Sequence, residues 1–190
     1  AVVDPESIPA WQRATTETLE SAPRDRKALV IYFQAEGDTD ASFADKELAE
    51  ISKGDAVFVK IPFNADREKS PWTEETCVPT SKILSDNPSR DYGIAVGKMT
   101  VVIADSYGNE YSRLSKQPKA TELKGYLKSV KENADKVSAK LQKNLDKANE
   151  ALAASDRKGA LKLLMKNFDE GVVGLTAQED SIRAYHDMLD

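Results

Sequence analysis

Two short apolar runs limit what this chain can fold into. Lys27-Ala-Leu-Val-Ile-Tyr-Phe33 and Ala56-Val-Phe-Val-Lys-Ile61 are almost continuously apolar and rich in β-branched and aromatic residues. A run of that length without polar alternation reads as a strand buried on both faces, as in a central parallel sheet. Between them stands a turn-forming polar loop, Gly37-Asp-Thr-Asp-Ala-Ser42. A helix follows through Lys53, with Phe43, Leu48 and Ile51 available for the core, and Gly54-Asp55 stops it. Strand, helix and strand this close together predict a right-handed βαβ crossover.

The flanking segments extend the pattern. Ser7 to Ala22 reads as a helix capped by Ser7 and ended by Pro23, with Trp11, Ala14, Thr18 and Leu19 as its buried stripe. Pro62 to Pro79 is irregular, and Thr80 to Asp86 reads as a short helix closed by Asn87-Pro88. Met99-Thr-Val-Val-Ile-Ala104 predicts a third strand. Ser106-Tyr-Gly-Asn109 predicts a turn, and Glu110 to Leu114 an antiparallel edge strand. The sum is an α/β sandwich of four strands with flanking helices.

From Ala120 the period changes. Leu123, Leu127, Val130, Ala134, Val137, Leu141, Leu145, Ala148 and Leu152 step by three or four, the mark of one long amphipathic helix. At ~1.5 Å per residue it outgrows a small domain, so it projects, bends or breaks near Asn133. Ser155-Asp156 caps a further helix carrying Ala160, Leu161, Leu164 and Met165. Thr176-Ala-Gln-Glu179 reads as a capping box opening a last one through Met188. The expected division is residues 1–132 as an α/β domain and 133–190 as a helical extension. Ala151 to Leu164 resembles the turn of one tetratricopeptide unit, without a second copy at a period of about 34 residues. A lone helical hairpin and a partner-docking or dimerisation surface, the latter on the long helix, both remain open.

Charge excludes some function classes. The net charge is −5, which argues against nucleic acid as the general partner. Lys119 to Phe168 nevertheless holds 12 Lys/Arg against 6 Asp/Glu, a net of +6, leaving −11 elsewhere. That stretch is either a solvated lysine face or a contact for an anionic polymer. No apolar run approaches the ~18–20 residues that span a bilayer. The opening Ala-Val-Val-Asp-Pro suits a mature chain after signal cleavage, which favours a periplasmic or secreted setting, and equally suits a trimmed chain.

In this order and at these distances, several pieces resemble the thioredoxin superfamily, in the branch with an extra amino-terminal helix. Trp11 precedes the first long strand, and Phe33-Gln-Ala-Glu36 is similar to the Phe-x-Ala-x that leads into that family's Cys-x-x-Cys. Tyr92-Gly93-Ile94 and Gly97-Lys-Met-Thr100 resemble its Tyr-Gly-Ile … Gly-x-Pro-Thr stretch, and Tyr107-Gly-Asn-Glu110 its hairpin turn. The likeness covers roughly Ile8 to Lys131. It implies a thioredoxin-like fold and sets the paired cysteines on Asp38-Thr39-Asp40-Ala41, where neither thiol is present. It sets the cis-proline on Met99. The family chemistry needs an exposed thiolate and a second, resolving thiol. A carboxylate and a methyl group supply neither, so conventional dithiol exchange is excluded.

The remaining candidates follow from what stands at those positions. Asp38 or Asp40 would cap the following helix and complement its dipole. Asp38, Asp40 and Ser42 have the one-three-five spacing of a calcium loop, but Phe43 occupies the glycine position and Ala49 the twelfth. Cys77, the single cysteine, precludes a disulfide within the sequence and is the one candidate for monothiol chemistry. Trp72 is either a recognition anchor or a core plug. His186 has no zinc-type companions, and no cofactor or metal motif is read. The expectation is a redox-inactive binding or scaffolding protein, without catalytic residues, that docks a protein partner through Asp38, Thr39, Asp40, Lys98, Met99 and Trp72. The alternative is a monothiol enzyme or sensor using Cys77.

Overall fold

The structure, a computed structural model, describes residues 3–63, 82–84, 88–95 and 97–190. The two apolar runs are strands β1 (Ala28–Phe33) and β2 (Ala56–Ile61), joined by β3 (Thr100–Ala104) and β4 (Glu110–Leu114) in the order β2-β1-β3-β4. β1 runs parallel to β2 and antiparallel to β3, and β3 antiparallel to β4. All of β3, and all of β1 except Ala28, is buried. Both faces of the sheet are covered by helices, which is why the runs carry no polar alternation.

Successive side chains divide between two cores. Leu29, Ile31, Phe33, Val57, Val59 and Val102 meet Leu19 and Ala22 of α1 (Thr16–Arg24), together with Tyr92 just after α3 (Pro88–Asp91). Val30, Tyr32, Phe58, Val101 and Ile103 meet Phe43, the α2 (Lys46–Gly54) residues Leu48 and Ile51, and Leu123 of α4 (Ala120–Ala153). Each fully buried aliphatic or aromatic side chain contributes roughly 1.5–3 kcal/mol. A mixed four-stranded sheet with a parallel first pair, a closing hairpin and helices on both faces is a thioredoxin-like α/β fold, the one the sequence resemblance implies.

Some local expectations need correction. The helix expected from Ser7 to Ala22 is instead a 3-10 turn (Pro5–Ser7), an extended segment and α1. Thr15, not Ser7, caps α1 by accepting from the Thr18 N–H, and α1 runs one residue past Pro23. Backbone bonds from Gln12 to Phe58 and from Lys60 to Gln12 hold the extended segment against β2, a pairing that periodicity cannot foresee. Trp11 and Ala14 therefore pack on opposite sides of the sheet rather than on one helix stripe. The helix expected before Lys53 starts late, because Asp40–Phe43 forms a separate 3-10 turn and Asp45 caps α2 through the Leu48 N–H.

The chain separates into two compact units, Ala1–Lys131 and Glu132–Asp190, and the boundary falls within α4, which continues as helix through Asn133. In the second unit, Leu145 and Ala148 of α4 pack with Ala160 and Leu164 of α5 (Arg157–Asp169) and with Ala184, Tyr185 and Met188 of α6 (Thr176–Leu189). Asp156 caps α5 by accepting from the Gly159 N–H at 2.9 Å. The expected capping box at Thr176 does not form as drawn. Thr176 is already the first helical residue, and the Glu179 carboxylate reaches back to the Gly174 N–H at 3.1 Å.

Candidate binding face at one end of the sheet

Register determines which loops meet. Phe33, the last residue of β1, pairs with Ile61, the last of β2, and with Thr100, the first of β3. The segment after Phe33 and the segment before Thr100 therefore leave the sheet at the same end, so Asp38–Thr39 and Lys98–Met99 share it.

The loop after β1 closes on itself. Gly37 takes φ +84°, a left-handed conformation that a side chain rarely adopts. That turn lets the Asp38 N–H donate to the Ala35 carbonyl at 3.1 Å while the Ala35 N–H donates to Asp38 Oδ2 at 2.8 Å. The Tyr32 hydroxyl donates to the same Oδ2 in a short hydrogen bond. Burial, followed by the neighbouring carboxylate, raises the pKa of the Tyr32 phenol well above its ordinary value, so it remains a donor at neutral pH. Asp38 thus braces the loop and does not cap a helix, contrary to the expectation from the sequence. Thr39 is exposed, and its N–H donates to Ser42 Oγ at 2.8 Å. Asp40 opens the 3-10 turn.

Beneath this loop lies an aromatic cluster. The Trp11 ring stands 5.3 Å from Tyr32, 5.1 Å from Phe43 and 5.4 Å from Phe58, and Tyr32 stands 4.9 Å from Phe43. Aromatic pairs at these separations add about 0.5–1.5 kcal/mol each beyond area burial. On the other loop, Met99 is half-buried on the same core face and Lys98 is exposed. Among the described residues no peptide bond is cis, so the Lys98–Met99 bond is trans. Trp72 and Cys77 lie outside the described residues. His186 is exposed on α6, edge-on to Tyr185 at 5.8 Å.

Tyr32 and Trp11 supply the groups under this face that sequence reasoning missed. The available signal was an aromatic residue one place before the end of a strand whose next loop carries aspartates. A second missed network organises the β3–β4 hairpin. The buried Asp105 carboxylate accepts from the Tyr107 and Asn109 N–H groups at 2.9 and 3.0 Å, from Asn109 Nδ2 at 2.8 Å and from the Tyr111 hydroxyl at 3.1 Å. Burial raises its pKa above the ordinary 3.8 despite these donors. The network is structural: it holds the turn in which Gly108 takes φ +86°.

This geometry defines a class, a thioredoxin-like α/β fold in which the Asp38 carboxylate braces the loop after β1. One cysteine in 190 residues leaves no Cys-x-x-Cys pair. No protein-family model matches the sequence, and no curated protein matches it. Among solved structures, the chain is similar to one titled DsbH Oxidoreductase, at 16% identity and a TM-score of 0.45, over 67% of this chain and 92% of that one. It is also similar to a mutant thioredoxin from Halobacterium salinarum NRC-1, at 16% identity and a TM-score of 0.41, over 68% of this chain and 96% of that one. The fold class rests on the strand order and directions in this chain, not on those values.

Proposed function

We propose that the chain is a redox-inactive, thioredoxin-like binding or scaffolding protein that docks a protein partner on the end of the sheet where the Asp38–Asp40 and Lys98–Met99 loops emerge. One observation carries this reading. The Asp38 carboxylate, which the sequence resemblance sets at the first thiol position, is engaged by the Tyr32 hydroxyl and the Ala35 N–H, so the loop is braced without any sulfur. Around it, exposed Thr39 and Lys98 offer polar contacts and half-buried Met99 an adaptable apolar one. Function on a shared fold depends on such local groups and not on the fold itself.

The test is a disulfide-reduction assay driven by an external reductant, run with the parent chain and with Cys77→Ser. Neither should show turnover above the uncatalysed rate. Turnover by the parent that vanishes in Cys77→Ser would overturn this reading in favour of one-thiol chemistry. The binding face is tested by Thr39→Arg and Lys98→Glu against any partner recovered with the parent chain. Each should weaken binding by about 1 kcal/mol or more, measured by calorimetry.

A further inference from the structure

We infer that residues 4–14 are a strap that regulates the proposed binding face: docked along β2 they hold the Asp38 loop in shape through Trp11 and Tyr32, and released they free it. The inference rests on that reading of the face and adds what controls its shape. The strap is attached at discrete points. The Gln12 N–H donates to the Phe58 carbonyl at 2.8 Å, and the Lys60 N–H donates to the Gln12 carbonyl at 3.1 Å. The Ala10 N–H donates to Ser52 Oγ at 2.8 Å, the Asp45 N–H to the Ser7 carbonyl at 2.7 Å, and Asp4 pairs with Lys46 at 3.2 Å. Asp4, Pro5, Glu6, Ala10 and Gln12 are exposed. One bridge, at Gln12, joins the strap to β2, whereas six residue pairs join β2 to β1. A segment with so few backbone bonds and so much exposure opens at a lower free energy than the sheet it lies on.

Trp11 carries the position of the strap into the loop. Its ring stands 5.3 Å from that of Tyr32, whose other aromatic neighbour among the described residues is Phe43 at 4.9 Å. Tyr32 is buried, and its hydroxyl donates to the same Asp38 Oδ2 that accepts from the Ala35 N–H. With Trp11 withdrawn, the Tyr32 ring loses one of its two flanking rings, gains room to turn and admits water to its hydrogen bond. That bond is stronger dry than wet. The route is a continuous set of contacts, from strap to Trp11, to Tyr32, to Asp38 and so to the loop. A ligand that displaces the strap from β2 therefore alters the face without touching it.

The experiment is residue-resolved amide hydrogen exchange by NMR on the full 190-residue chain without any partner. It reads the strap whether or not the face binds protein, and the Thr39→Arg and Lys98→Glu binding measurements test the face separately. Trp11→Ala removes the ring. Gln12→Pro keeps the ring and deletes the N–H that bonds Phe58, so it carries the test alone where circular dichroism shows Trp11→Ala unfolded. Exchange at the Ala35 and Asp38 amides should quicken about tenfold in the first and a few-fold in the second. The Tyr107 and Asn109 amides, held by the Asp105 carboxylate in a separate turn, should keep the rates of the parent. Trp11→Phe should bring Ala35 and Asp38 back to within about threefold of the parent. Unchanged rates at Ala35 and Asp38, or an equal rise at Tyr107 and Asn109, overturn the proposal. A rise in Trp11→Ala with none in Gln12→Pro also overturns it, because Trp11 would then act as packing and the strap would control nothing.

Discussion

At Asp38 a single carboxylate oxygen accepts two hydrogen bonds, from the Tyr32 hydroxyl and the Ala35 N–H. Tyr32→Phe keeps the ring in its aromatic cluster and removes one donor to the Asp38 side chain. It should destabilise the fold by about 1.5–3 kcal/mol in urea unfolding, whereas Thr39→Ala, at an exposed neighbour, should change stability by less than about 0.5 kcal/mol. Asp105 behaves differently, because burial outweighs its donors and its folded pKa lies above 3.8. Between 3.8 and that folded value the native state holds the extra proton. The stability contributed by this group is therefore fully present below 3.8 and declines as pH rises through the folded pKa. Carboxyl-carbon NMR titration should place the Asp105 midpoint above 3.8. The sequence displayed each of these residue types, but it did not display Tyr32 as the partner of Asp38. Residues six apart meet only because a strand ends and Gly37 reverses the chain.

Elements were legible where one local signal decided them, and obscured where a distant one did. β2 falls where its continuous apolar run sets it and β4 where the turn before it does, and Phe43, Leu48 and Ile51 are core as the pattern required. The amino-terminal helix is the counterexample. Residues 8–15 have helical spacing of apolar positions, yet backbone pairing of Gln12 with β2 draws them into extended structure and carries Trp11 to the aromatic cluster. β4 also conceals a bulge. Ile103 faces Ser112 while Ala104 faces Glu110, and the extra residue, Tyr111, sends its hydroxyl to Asp105. In α5, alanine at position 159 would ordinarily favour helix by up to ~1 kcal/mol. Here its Cβ would overlap the Asp156 carboxylate that caps the helix. Gly159→Ala should therefore leave stability within about 0.5 kcal/mol of the parent, and should stabilise an Asp156→Ala background by nearer ~1 kcal/mol. Thermal unfolding of the four variants in a double-mutant cycle measures that difference.

Across the whole chain, two compact units each have their own organising centre. In the second it is Asn167, fully buried, whose Nδ2 donates to the Leu141 carbonyl and to Ser181 Oγ and whose Oδ1 accepts from Asn144. Its backbone carbonyl takes a further bond from Gln178. One side chain thus ties α4, α5 and α6 together. Asn167→Leu leaves several buried groups unpaired, at a cost of about 1–3 kcal/mol for each. Hydrogen exchange should accelerate in residues 132–190 while β1 and β3 keep the protection of the parent, since opening free energies belong to cooperative units. Loss of protection across both units would contradict that expectation. The sequence by itself determined that a dithiol is absent, that the central strands are buried on both faces, and that a long amphipathic helix follows them. Those are properties of composition and of periods along one stretch of chain. Which loops share an end of the sheet, what holds Asp38, where Trp11 packs and why Asn167 is buried were decided only by tertiary structure. Each depends on strand register or on contact between residues far apart in the chain, and local spacing carries no information about either.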